Sequence, residues 1–94
     1  MTYLPSLRQL RYLVAVADHR HFGRAAAACN VTQPTLSAGI KELEDSLEAA
    51  LVDRTSRNLK VTEAGKAFLE HAETVLEAMA AAETARSGKV RSLR

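Results

Sequence analysis

Ninety-four residues with one cysteine, 13 basic and 11 acidic side chains and a net charge of +2 leave room for one small domain with an appendage. No apolar run approaches the roughly 20 residues of a membrane span, no signal-peptide core opens the chain, a single cysteine cannot form an internal disulfide, and no Cys or His spacing suits structural zinc. A cytoplasmic chain without metal or cofactor is therefore expected, and its partner must be sought in where the charges lie: Glu42, Glu44, Asp45 and Glu48 crowd one stretch, Arg54, Arg57 and Lys60 the next.

Leu7, Leu10, Val14 and Ala17, widened by Leu13 and Val16, repeat at helical spacing, and Ser6 is placed to cap a first helix reaching about Asp18. His19 to His21 then turn the chain. A second helix carries Phe22, Ala25, Ala26 and Cys29 as its apolar face, and Asn30 tolerates the left-handed conformation that ends a helix. Val31 plugs the corner. Thr32 can cap a third helix, Pro34 fits its first turn, and Leu36, Ile40, Leu43 and Leu47 form its buried stripe. The opposite face carries Gln33, Thr35, Ser37, Ala38 and Lys41, which is small and polar with one positive corner. That composition suits a helix inserted into a major groove, where base edges must be approached closely.

Beyond Leu47 the period changes. The short runs 51–54 and 59–61 flank a polar turn-forming segment, Thr55 to Asn58, and predict a β-hairpin wing. Thr62 resembles an N-cap, and Phe68, Ala72, Val75, Met79 and Ala82, with Leu69 and Leu76 beside them, give a long final helix more apolar surface than a small winged domain can cover. A partner helix is expected there. The fold class is mainly α with a small β-hairpin: a winged helix-turn-helix over 1–62, a long dimerisation (linker) helix over 63–87, and a basic tail or the start of a linker over 88–94.

Several of these runs together are highly specific. LRQLRYLVAVAD in the first helix, FGRAAAACNVTQPTLS in the helix pair, KELEDSL closing the third helix, LVDRTSR in the wing and VTEAGKAFL opening the last helix resemble the N-terminal DNA-binding region of LysR-type transcriptional regulators. The resemblance runs from Leu7 to about Met79. Within the family, HRHF at 19–22, QPTLS from Gln33 and RTSR from Arg54 look like the peroxide-responsive OxyR-like branch. The resemblance implies a homodimer, or a tetramer in a full-length form, that binds an interrupted palindrome. It also implies a C-terminal effector domain of two α/β subdomains, absent from these residues, so the chain is expected to be an excised module or a truncated relative. The redox cysteines of the OxyR-like branch belong to that effector domain, and Cys29 does not inherit their role; it reads as a small buried hydrophobe.

In the family the residue matching Gln33 faces the groove at the start of the recognition helix, where a glutamine can pair bidentately with adenine; a solvated helix start is the plain alternative. Pro34 and Thr35 are expected against thymine methyls. Ser37, Thr32 and Lys41 are candidate phosphate contacts, and capping alone also explains Thr32. Ala38 and Gly39 stand where the family often has a long polar or basic residue and a glutamine, so a closer approach with less base-specific readout is expected. Arg54 and Arg57, unless they are ordinary solvated charges, reach from the wing to the minor groove or its phosphates.

Phe68, Ala72, Val75, Leu76 and Met79 are the expected dimer contacts. His19 and His21 read as a turn-stabilising or solvent-facing pair, and Glu42, Glu44 and Asp45 as a solvated helix face. No catalytic constellation or small-molecule site is apparent, and no enzyme is expected. Two functions therefore compete: a duplex-DNA reader, and a helical interaction module whose last helix binds another protein.

Overall fold

The computed structural model describes residues 5–55 and 59–92, with side chains described through 86. In chain order the elements are α1 (Leu7–His19), α2 (Phe22–Ala28), α3 (Gln33–Leu47), β1 (Val52–Asp53), β2 (Lys60–Val61) and α4 (Glu63–Ser92). The winged helix-turn-helix and the long final helix both stand as the periodicity predicts.

Each boundary has a local cause. Ser6 and Gln9 form a reciprocal capping box, in which the Ser6 hydroxyl accepts from the Gln9 amide and the Gln9 side chain accepts from the Ser6 amide, both at 3.1 Å. Arg20, in the left-handed region at φ 52°, ends α1 by donating its N–H to the Val16 carbonyl at 2.7 Å. Asn30, at φ 62°, closes α2: the N–H groups of Asn30 and Val31 turn back to the carbonyls of Ala27 and Ala26 at 3.1 and 3.0 Å. The Thr32 hydroxyl accepts the Thr35 N–H at 3.3 Å and so starts α3.

α3 ends in the same kind of Schellman turn, but with Glu48 at the left-handed position, φ 53°. The N–H groups of Glu48 and Ala49 bond back to Asp45 and Glu44 at 3.3 and 3.1 Å. A Cβ in this region is penalised, whereas glycine occupies it freely. Glu48→Gly is therefore expected to stabilise the domain by about 1 kcal/mol, the left-handed penalty less the extra chain entropy that glycine loses on folding. Urea denaturation measures it, and a lower midpoint would contradict the argument.

The core lies where α1, α2 and α3 meet the start of the wing. Leu13, Val16, Ala25, Leu36, Ile40 and Leu43 are fully buried, with Leu51 and Val52 closing the cluster from the wing side. The buried side of α1 is Gln9, Leu10, Tyr12, Leu13, Ala15 and Val16. This corrects the stripe expected through Leu7, Val14 and Ala17. Leu7 is exposed and the other two are half-buried, because α1 is contacted by α4 as well as by α2 and α3 and so has two inward sides. The wing is a minimal antiparallel pair, Val52 opposite Val61 and Asp53 opposite Lys60. Two residues per strand cannot hold a hairpin in water alone, so its anchors lie elsewhere.

α4 begins at a Thr62 cap, whose hydroxyl accepts the Gly65 N–H at 2.9 Å and donates to the Ala50 carbonyl at 2.6 Å. It continues to Ser92, past the Ser87–Gly88 point where the apolar pattern stops. A lone glycine costs a helix only about 1 kcal/mol, and Lys89 and Arg91 are good helix formers. α4 lies against α1 through Ala72, which is 1% exposed, with Phe68 and Leu69 half-buried against the core.

Candidate nucleic-acid interface

Thr32, Gln33, Pro34, Thr35, Ala38 and Lys41 are all exposed along the outer side of α3, while Ser37 is half-buried toward its flank. The helix thus presents its first two turns to solvent with the polar groups the sequence singled out. Three of them already have local partners. The Thr32 hydroxyl donates to the Thr35 hydroxyl at 2.9 Å in addition to its capping bond, and Lys41 stands 3.7 Å from Asp45 one turn on. An exposed pair of that kind is worth a few tenths of a kcal/mol and yields readily to a phosphate.

Gly39 does not belong to this surface. A Cβ built there would lie 2.6 Å from Cδ2 of Tyr12, so α3 rests directly on the Tyr12 ring, which is 4% exposed. Glycine at 39 is a packing choice, and the bare patch expected from Ala38 and Gly39 reduces to Ala38.

The turn between α1 and α2 is held by His21. Its Nδ1 accepts the Arg24 N–H at 3.0 Å, which makes it the N-cap of α2 and bears out the turn-stabilising reading. A side chain at Gly23 would crowd this ring, with 2.9 Å from the Cβ to His21 Cε1, and would touch the Gln33 carboxamide oxygen at 3.4 Å. The start of α2 and the head of α3 therefore share one small space.

The acidic cluster is not simply a solvated face. The Glu44 carboxylate, 13% exposed, accepts the N–H groups of Leu51 and Val52 at 2.8 and 3.1 Å through one oxygen, and its other oxygen stands 3.6 Å from the Arg54 guanidinium. Sequence reasoning missed this anchor, whose one available signal was that position 44 flanks the buried stripe of α3. Arg54 is held twice, since its guanidinium also lies over the Phe22 ring at 5.2 Å from the centroid. One wing arginine is thus positioned beside the outer face of α3. Arg57 lies outside the described residues.

At the tip of β1 the Asp53 carboxylate accepts from the Thr55 hydroxyl at 2.6 Å and the Thr55 N–H at 2.9 Å. These bonds, the hydroxyl first, hold its pKa below the ordinary carboxylate value. A depressed folded-state pKa means that this support for the turn is complete at neutral pH and is lost as the pH falls through the folded value.

The expected dimer residues divide. Ala72 is 1% exposed where α4 lies against α1, and it lines the floor of the apolar depression that Val75 borders; Phe68 and Leu76 are half-buried. Val75 and Met79 remain 41% and 47% exposed. Pro5, Leu7, Leu10, Phe68, His71 and Val75 border this largely apolar depression of about 310 Å³ beside them. Cys29 is half-buried, its Sγ 3.9 Å from the Arg11 carbonyl, and so is only partly the buried hydrophobe expected. Among the described residues no cluster of His, Cys, Asp or Glu could hold a metal ion, and no helix is long and apolar enough to cross a membrane.

Residues 7–66 match the family model described as "Bacterial regulatory helix-turn-helix protein, lysR family". A hydrogen peroxide-inducible genes activator of Pectobacterium carotovorum subsp. carotovorum is 55% identical over 71 residues, covering 76% of this chain and 24% of that protein. Among solved structures, an OxyR mutant of Corynebacterium glutamicum superposes with a TM-score of 0.88 at 36% identity, covering 94% of this chain and 28% of the other. BenM_DBD in complex with benA site 1 DNA gives 0.82 at 34% identity, covering 93% and 97%. The chain spans about a quarter of the length of the curated relatives it matches.

Proposed function

The chain belongs to the lysR family of bacterial regulatory helix-turn-helix proteins, and on that premise we propose that it is the duplex-DNA-binding module of a transcriptional regulator, reading an interrupted palindrome as a homodimer. The observation that carries the reading is α3, whose outer face from Thr32 to Lys41 is exposed and polar beside a wing that holds Arg54 at its flank. Gln33 and Thr35 offer hydrogen bonds to base edges, and Pro34 and the Thr35 methyl offer contact to thymine methyls. Thr32, Ser37, Lys41, Arg54 and Arg57 supply phosphate contacts, which give affinity without sequence information. Gln33 and Thr35 stand toward the two flanks of the face, with Pro34, Ala38 and Lys41 between them, so few groups read bases from its centre and DNA shape and deformability carry much of the preference.

Dimerisation is assigned to the exposed strip of α4. Val75 and Met79, with the apolar depression that Phe68 borders, form a continuous surface for a second copy. The BenM_DBD relative, a domain of nearly the same extent solved on DNA, supports the DNA reading. No redox role is assigned to Cys29.

Gel-shift titration against salt, on duplexes enriched from a random pool, tests the proposal. Binding should weaken steeply, with log K falling by roughly 5 to 9 per decade of salt for a dimer making six to ten phosphate contacts, and the enriched duplexes should share an inverted repeat. No binding even at low salt would favour the protein-interaction scaffold instead. A monomer in sedimentation, both free and on DNA, would remove the dimer.

A further inference from the structure

We propose that Arg8, on α1, is a DNA-phosphate contact that grips the side of the recognition helix opposite the wing; the proposal rests on the DNA-binding reading above. The geometry begins with Gly39. Because it carries no side chain, α3 settles onto Tyr12 and brings the first turn of α1 alongside its groove-facing half. The two helices then enclose an open cleft of about 300 Å³, bordered by Arg8 and Gln9 from α1 and by Thr35, Ala38 and Glu42 from α3. Residues 42 and 44 stand about 200° apart around a helix of 3.6 residues per turn. Glu44 marks the flank that holds Arg54, and Glu42 marks the other, where Arg8 lies. Pro34, Ala38 and Lys41 project between them. Two arginines therefore straddle the face that enters the groove, and a major groove has phosphates on both walls.

Arg8 has no evident duty in the fold. It is exposed and forms no ion pair with any described residue. The carboxylate nearest at hand in the cleft, Glu42, takes a hydrogen bond from the Gln9 carboxamide at 3.4 Å. A cation in the first turn of a helix also opposes the helix dipole, and α1 has no acidic residue there to compensate. A residue that breaks a local rule without a structural return is one to explain by binding. The short Ala38 side chain leaves the path from Arg8 to the groove edge open.

Binding of the chain and of Arg8→Gln to one enriched duplex across a salt series, with thermal unfolding in parallel, tests this. Arg8→Gln should bind roughly five- to tenfold more weakly per protomer near 0.1 M salt, with a salt slope shallower by about 1 per protomer. Arg8→Lys should keep the slope, and the thermal midpoint of Arg8→Gln should be unchanged or higher. An unchanged slope in Arg8→Gln, or a lost midpoint that accounts for the weaker binding in both variants, would overturn the proposal while leaving the DNA-binding reading intact. If the unmodified chain binds no duplex at low salt, that reading fails first and Arg8 with it.

Discussion

Gly65→Ala is expected to lower the unfolding free energy by about 2 kcal/mol, although it adds a better helix former to α4. Its Cβ would lie 2.1 Å from the Leu51 carbonyl oxygen, 2.7 Å from Val61 Cγ1 and 3.0 Å from the Leu51 carbonyl carbon. Two of these atoms are backbone and have no rotamer to change. That carbonyl also accepts the Thr62 N–H at 3.0 Å, and the Thr62 hydroxyl is tied to both Ala50 and Gly65. The first turn of α4 is thus clasped to the segment leading into β1. A displaced first turn strains the caps and the wing together, and alanine's gain of about 1 kcal/mol over glycine in a helix is smaller than typical overpacking costs. Gly23→Ala makes the control, since the groups it meets are the His21 ring and the end of the Gln33 side chain; its cost should be limited to the His21 cap, about 1 kcal/mol. Equal urea midpoints for the two variants would show that the clasp at Gly65 is not rigid.

The contrast between these glycines marks where the sequence was legible. Periodicity and caps act over a few residues, so Ser6, Asn30, Thr32 and Thr62 and the stripe Leu36, Ile40 and Leu43 are placed by the sequence alone. What joins distant segments is not. Gly39 looked like a gap in the reading face because the residue that fills the space, Tyr12, lies 27 positions earlier in the chain. Ala72 looked exposed because nothing in its own helix shows that α1 lies against it. Glu44 looked solvated because the amides it accepts belong to β1 and the residue before it, beyond the end of its helix. The outer face of α3 was the most legible part of the site, since a groove-facing surface is defined by solvent on one side and a core stripe on the other. The flanks, held by Arg54 and Arg8, depend on how separate elements pack.

Glu44→Ala is expected to cost about 3 kcal/mol and Glu44→Gln about 1 kcal/mol, from the difference between orphaning buried amides and weakening their acceptor. Leu51 and Val52 are 1% and 5% exposed, so with alanine at 44 their N–H groups lose the one acceptor placed for them where water cannot readily substitute. Glutamine keeps a carbonyl oxygen for both. What it forfeits is charge, and it turns an NH₂ group toward Arg54 in place of the carboxylate oxygen now 3.6 Å away. That ion pair is partly exposed and contributes a few tenths of a kcal/mol, so the stability difference between the variants isolates the amide bonds. Binding should divide the other way. Glu44→Gln removes a negative charge from beside the groove face and releases Arg54 toward phosphate, so its affinity at low salt should equal or exceed that of the unmodified chain. Glu44→Ala loosens the wing and with it the placement of Arg54, so it should bind more weakly at a temperature where it remains folded. Urea midpoints and a salt titration on one duplex read both effects. Equal stability losses in the two variants would mean that the wing is held by its own hairpin and by α4, with Glu44 serving only Arg54.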